Sequence, residues 1–176
     1  RPPRSTLFPY TTLFRSLRLL LKEIEKKPQT ELIDAESAAI LLSILSKEKK
    51  YFNTINILLK SLHQQIINSG TAIFRQFDGR NVISLLRSIN SLLSENIDRE
   101  TAEDIFVYLA ALVKSDAITS RIELEEFGAL LAEFEAGKNI LGDQEGVIKF
   151  LNDKVAFIAE KKKKIESGAK PKKRRL

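Results

Sequence analysis

The stretch Phe77-Asp-Gly-Arg-Asn-Val-Ile-Ser-Leu-Leu-Arg-Ser-Ile-Asn-Ser-Leu-Leu93 decides the fold. Val82, Leu85, Leu86 and Ile89 fall at relative positions 0, 3, 4 and 7, the spacing that lines one face of a helix with ~3.6 residues per turn. Asp78 stands just before that stripe, where a carboxylate accepts from the free backbone N–H groups of a first helical turn. Working outward, the same pattern of an apolar residue, an acid, three residues and an apolar stripe occurs twice more. One copy is Ile33-Asp34 with Ala38, Leu41, Leu42 and Leu45; the other is Ile122-Glu123 with Phe127, Leu130, Leu131 and Phe134. The copies are offset by 44 and 45 residues. We term these the A helices.

A second set of stripes alternates with the first: Ile55, Leu58, Leu59, Leu62; Ile105, Tyr108, Leu109, Leu112; and Val147, Phe150, Leu151, Val155. These are the B helices. An upstream stripe of Leu17, Leu20, Leu21 and Ile24 ends near Pro28, which cannot continue a helix, and reads as the B helix of a preceding repeat. Gly70 and Gly137 stand where a left-handed helix cap is favoured, and Asp98 with Thr101 and Asp104, and Asp143 after Gly142, read as helix starts. Seven helices are expected, over 17–27, 34–47, 53–69, 79–94, 99–115, 122–136 and 143–165. No segment keeps the strict alternation of a strand. A helix with one apolar stripe must bury it on a neighbour, so the fold class is all-α: an α-solenoid of about three helix-pair repeats, residues 17–160, followed by a basic disordered tail, 161–176.

Residues 1–16 are set apart from this domain. The run Thr6-Leu-Phe-Pro-Tyr-Thr-Thr-Leu-Phe-Arg-Ser16 reads codon for codon as the end of a common short-read library adapter, so the arm is expected to be an adapter-derived artefact, disordered, with Phe8, Tyr10 and Phe14 unburied. Together with the absence of methionine, this leads us to expect an interior fragment whose upstream repeats and any targeting peptide lie outside the sequence.

Charge is distributed in blocks. The chain carries a formal +6, but residues 161–176 hold nine basic residues against Glu166 alone, and 17–160 hold 17 basic against 22 acidic. The body is therefore acidic, and the high isoelectric point reports the tail. Within the body, 17–90 is net positive and 91–160 strongly negative. Zero cysteines exclude disulfides and thiolate metal sites and suit an intracellular compartment. No apolar run reaches the ~18 residues of a membrane span.

Catalytic constellations are sparse. His63 is the single histidine, at the flank of a helix stripe, and reads as a structural imidazole. The carboxylates Glu123, Glu125, Glu126 and Glu100, Glu103, Asp104 fit solvated faces and first-turn charges favoured by the helix dipole better than acid and base pairs or a magnesium site. No glycine-rich phosphate loop occurs. The expectation is a protein that is not an enzyme and takes no cofactor, metal or small-molecule substrate.

Basic residues mark the candidate binding sites. Lys47, Lys49, Lys50 and Lys60 surround the first A-to-B turn, with Arg75, Arg80 and Arg87 near the next. Clustered on one edge of a solenoid, such residues can follow a single-stranded RNA backbone, with Tyr51 and Phe52 as stacking groups or, equally, as the apolar staple of the helix that follows. In the tail, Lys161, Lys162, Lys172, Lys173, Arg174 and Arg175 favour phosphates, acidic proteins or an import receptor. The cluster Lys170-Pro-Lys-Lys-Arg-Arg175 resembles a nuclear localisation signal.

The stretch Phe77–Leu93, followed by Tyr108-Leu-Ala-Ala-Leu112, resembles the degenerate helical repeats of organellar RNA-binding proteins, the FAST-kinase-like, RAP-associated and heptatricopeptide or octatricopeptide kinds. The resemblance covers two repeats and rests on Leu and Phe spacing. It implies a non-catalytic protein of mitochondrial or plastid gene expression that binds RNA or sits in a ribonucleoprotein. The alternative is a HEAT- or armadillo-like protein-interaction scaffold of the nucleus, whose acidic block recognises a basic peptide or protein. The period suits that kind, although its helix-breaking proline and paired Asp and Arg positions are not found.

Overall fold

The computed structural model describes residues 19–24, 26, 33–48, 50–95, 97–138 and 145–166; within these, the side chains of 71, 75, 76, 116, 117 and 164–166 are outside the description. The adapter-like run, Asp143 and the tail beyond 166 lie outside the described residues. Among the described residues every regular element is helical: α1, seen over residues 19–24, α2 (Ala35–Leu45), α3 (Phe52–Ser69), a 3₁₀ segment η1 (Gly70–Gln76), α4 (Gly79–Leu92), α5 (Arg99–Lys114), the short α6 (Asp116–Thr119), α7 (Glu126–Gly137) and α8 (Glu145–Glu166).

The helix starts follow from local chemistry. Asp34 accepts from the Ser37 backbone N–H at 2.9 Å and from its hydroxyl at 2.9 Å. Asp78 and Asn81 form a reciprocal box, each side chain accepting from the other residue's backbone N–H. Asp98 accepts from Thr101 N–H. These contacts occupy donors that an unfinished first turn leaves free.

The third A helix starts later than its sequence pattern indicates. Residues 124 and 125 form a turn, and the Glu126 carboxylate reaches back to accept from Glu123 N–H at 2.8 Å. Glu123, one methylene longer than Asp34 or Asp78, does not cap; its carboxylate turns to Arg80.

Two elements were not expected from the sequence. Gly70, at φ 55° and ψ −143°, ends α3 in a conformation open to glycine, and the chain continues as η1, which seats Phe74 edge-on against Phe77 at 4.8 Å. After α5, Ser115 breaks the helix and Thr119 Oγ1 donates to the Ser115 and Val113 carbonyls, closing the single turn α6. Gly137 is no left-handed cap: it keeps helical backbone at the end of α7.

Packing brings like helices together. The A helices α2 and α4 pack on each other, as do α4 and α7; the B helices α3 and α5 pack, as do α5 and α8; and α2–α3, α4–α5 and α7–α8 pack within pairs. One cluster of buried side chains runs through them, holding Leu42, Leu45, Ile55, Leu58, Leu59, Leu62, Val82, Leu85, Leu86, Ile89, Ile105, Leu109, Leu112, Phe127, Leu130, Phe134, Val147 and Leu151. The stripe positions Leu41, Tyr108, Leu131, Phe150 and Val155 are half-buried at its margin. In α1, Leu21 and Ile24 join the core, whereas Leu20, expected on the same stripe, is 47% exposed.

Candidate nucleic-acid interface

The basic residues singled out in the sequence divide into two groups once the helices are packed. Lys60, Arg80 and Arg87 lie at joints between neighbouring helices. Arg80 on α4 bridges Glu123 and Glu126, at 3.3 Å to each. Arg87, two turns on, donates to Glu133 Oε1 at 2.8 Å, and Asn90 on the same helix donates to the Glu133 carbonyl at 2.8 Å. The pairs Glu123 and Glu126 hold the Arg80 guanidinium firmly charged, raising its pKa. In the B layer, Lys60 on α3 reaches Asp98 at 3.2 Å, His63 Nε2 lies 3.1 Å from Asp104, and Asn56 accepts from Asp98 N–H at 2.8 Å.

Arg80 and Arg87 thus serve the A layer and Lys60 the B layer, so the three do not share one binding edge. Their carboxylate partners include Glu123 and Glu126 of the first acidic cluster, and in the second cluster Asp104 faces His63 and Glu103 faces Arg99. The positive and negative blocks of the sequence meet each other across the joints. Ion pairs with so exposed a cation contribute little each, roughly 0–1 kcal/mol, although the Glu126 and Glu133 carboxylates are themselves mostly buried.

Lys47 and Lys50 lie in the A-to-B turn after α2, both exposed, with Lys50 paired to Glu48 at 2.6 Å and its ammonium 5.2 Å from the Tyr51 ring centre. Tyr51 and Phe52, at the N-cap and first position of α3, are half-buried against the core. Arg75 lies in η1, its side chain outside the description; Lys49, Lys172, Lys173, Arg174 and Arg175 are outside the described residues altogether.

Lys161 and Lys162 are different. They project exposed from the last turns of α8, in a run with Lys163. Lys161 Nζ sits 4.6 Å from the Phe157 ring centre, and one repeat of that arrangement earlier, Lys154 Nζ sits 5.4 Å from the Phe150 ring centre. Phe157 is 53% exposed. Sequence reasoning passed over Phe157, although its place four residues before a lysine run is a visible signal. It also missed the joint carboxylates, whose separation of 43 to 46 residues from Arg80, Arg87 and Asn90 matches the repeat period.

The two perturbed acids are structural. The Ser37 backbone N–H and hydroxyl lower the pKa of Asp34. Burial raises that of Asp98, but the Thr101 N–H and Lys60 outweigh it and the net shift is downward. Both groups are depressed in the fold, so their contribution to stability is complete above the ordinary carboxylate value near 3.8 and is lost as pH falls through the lowered folded values. We expect stability to decline below about pH 4. In chemical denaturation, Asp34→Asn with Asp98→Asn keeps most of the neutral-pH capping, because Asn caps nearly as well as Asp, yet flattens the acid limb. An unchanged acid limb in that variant would refute the assignment.

Among the described residues no group of three or more His, Asp or Glu side chains could hold a metal ion, and no helix is long and apolar enough to cross a membrane. An open concavity of about 550 Å³ beside the start of α8 is lined by Lys138, Glu145, Gly146, Ile148, Lys149 and Asn152, with no hydroxyl, thiol or imidazole side chain among them. The chain matches no family model, no curated protein and no solved structure.

Proposed function

We propose that this chain is part of a non-catalytic α-solenoid that works as a binding scaffold in a ribonucleoprotein, with RNA as the partner and the mitochondrion or another organelle as the compartment. Three A helices stacked in order, three B helices stacked in order, and pairs joined within each repeat make an array in which each unit rests on its neighbours. Such an array offers a long surface rather than an enclosed reaction site.

The observation that carries the RNA reading is the separation of cations into two kinds. Those of α3 and α4 close joints between helices, whereas those at the end of α8 are presented outward and run on in sequence into the basic segment 161–176. A cation-rich helix end favours phosphate backbones by releasing their counterions, without regard to sequence.

Labelled single-stranded RNA should bind the chain with an affinity that falls steeply as salt rises, and deletion of 161–176 should weaken binding about tenfold and flatten the salt slope. Charge reversal at Arg80 or Arg87 should leave binding nearly unchanged while lowering stability. Full affinity retained after that deletion, and after reversal of Lys47, Lys49 and Lys50, would overturn the reading.

A further inference from the structure

We propose that the exposed flank of α8 carrying Phe157, Lys154 and Lys161 is a stacking site for a base of single-stranded RNA, with the lysines on the adjoining phosphates. This rests on the RNA reading above and assigns the contact within it.

Helix α8 spends its apolar stripe on the fold. Val147 and Leu151 are buried, and Ile148, Phe150, Val155 and Ile158 pack against the core. Phe157 is left out of that packing, at 53% exposure, three turns beyond Val147 and on the flank of the stripe. A phenyl ring in water without a partner is unfavourable, and here it does not stand alone. Phe150, Lys154, Phe157 and Lys161 follow at steps of four, three and four residues, which places them in one line along the helix.

In that line each lysine lies over the ring preceding it, Lys154 at 5.4 Å and Lys161 at 4.6 Å from the ring centres. The ammonium occupies part of the Phe157 ring surface and leaves the rest to solvent. A nucleobase has a flat π face to cover an exposed ring, and its phosphates carry the charge that the neighbouring ammonium groups neutralise; aromatic stacking beside cations is how sequence-tolerant single-strand sites are built. From Lys154 to Lys161 the helix rises about 10 Å, so the backbone positions of the two lysines bracket that of Phe157 along the helix.

The same features argue against the other polyanions. A membrane surface requires an apolar face that can enter the acyl boundary, and α8 has already committed its own to α5 and α7. An acidic protein would answer the lysines but has no particular use for an isolated phenyl ring flanked by them.

The chain has no tryptophan, so Phe157→Trp places a single indole at the proposed contact. Titration of that full-length variant with an oligouridylate should quench its fluorescence. Phe157→Ala should weaken oligouridylate binding about tenfold with the salt slope unchanged, since stacking carries no counterion release, whereas Lys161→Glu with Lys162→Glu should weaken binding and lower the slope by about 1 to 2. Phe157→Leu should behave like the alanine variant, because it restores apolar area but not a ring. Phe157 is exposed, and helical circular dichroism should be unchanged in all four variants.

Wild-type binding retained by Phe157→Ala, or an indole indifferent to oligouridylate that nevertheless binds, overturns the stacking site and leaves the RNA reading standing. A wild-type chain that binds no single-stranded RNA even at low salt overturns both. Sedimentation with phosphatidylserine and phosphatidylcholine vesicles that is lost in Phe157→Ala, while oligouridylate binding is not, overturns the site in favour of a membrane contact.

Discussion

Phe106→Ala should lower the stability of the chain by about 3–5 kcal/mol, the usual cost of emptying a phenyl-sized space in a core that cannot collapse. Phe106 on α5 is fully buried. Its ring meets that of Phe134 on α7 at 5.1 Å and 76°, an edge-to-face pair, which contributes roughly 0.5–1.5 kcal/mol beyond buried area. The ring also lies over Gly137, whose missing side chain leaves room for it. One residue of a B helix therefore connects to the next A helix along the chain.

An ordinary domain has only about 5–15 kcal/mol in total, so the loss should be visible as a large fall in the urea midpoint. The location adds a second expectation. If each helix pair depends chiefly on its neighbours, loosening the joint between α5 and α7 should release α7 and α8 first, giving a broadened or two-step transition and a smaller slope with denaturant. Val107→Ala on the same helix, at 53% exposure, is the control and should change stability by less than about 0.5 kcal/mol. A Phe106→Ala loss below about 1 kcal/mol would show that the contact of α5 with α7 does not hold these helices together.

The all-helical fold was legible because it is governed by local spacing. Val82, Leu85, Leu86 and Ile89 are all buried, as are Ile55, Leu58, Leu59 and Leu62, and a stripe of that kind reports burial without any knowledge of what covers it. Asp34, Asp78 and Asp98 were legible as caps for the same reason, since a cap and its donor are three residues apart. Side chains whose partners lie a full repeat away were not. Arg80, Arg87 and Lys60 look like free cations when the chain is read in order, and only the stacking of α4 on α7 and of α3 on α5 places Glu126, Glu133 and Asp98 against them.

The candidate interface shifted accordingly. A positive block followed by a negative block reads as two surfaces for two partners, yet Lys60, Arg80 and Arg87 of the first pair with Asp98, Glu123, Glu126 and Glu133 of the second once the helices stack. What remains for an outside ligand is the charge that no joint consumes. Among the described residues Lys161 and Lys162 are of that kind, and the helical step of four residues places Lys161 over Phe157.

Gly137→Ala should destabilise the protein by about 1–3 kcal/mol, whereas Gly128→Ala, nine residues earlier in the same helix, should stabilise it by about 0.5–1 kcal/mol. Both glycines have helical backbone in α7, so in the absence of other contacts alanine would be preferred at either, having less backbone freedom to lose on folding. At Gly128 there are none: a Cβ would meet nothing within 4 Å. At Gly137 a Cβ would lie 2.6 Å from Phe106 Cζ, 3.0 Å from its Cε2 and 3.1 Å from Asn90 Oδ1. The phenyl ring is enclosed and held edge-on by Phe134, so it cannot retreat without disturbing the core. Asn90 is tied through its amide nitrogen to the Glu133 carbonyl, and its Oδ1 is already buried with no hydrogen-bond partner. Crowding would therefore fall on the two groups least able to move, and overpacking should exceed the propensity gain. Thermal or urea unfolding of the two single variants decides the matter by sign. If Gly137→Ala proves as stabilising as Gly128→Ala, the close approach of α7 to Phe106 is not a constraint on the fold. In that case Phe106→Ala in the Gly137→Ala background should still cost its full amount; if the two residues share one space, it should cost less there, because the added methyl group refills part of the volume the ring leaves.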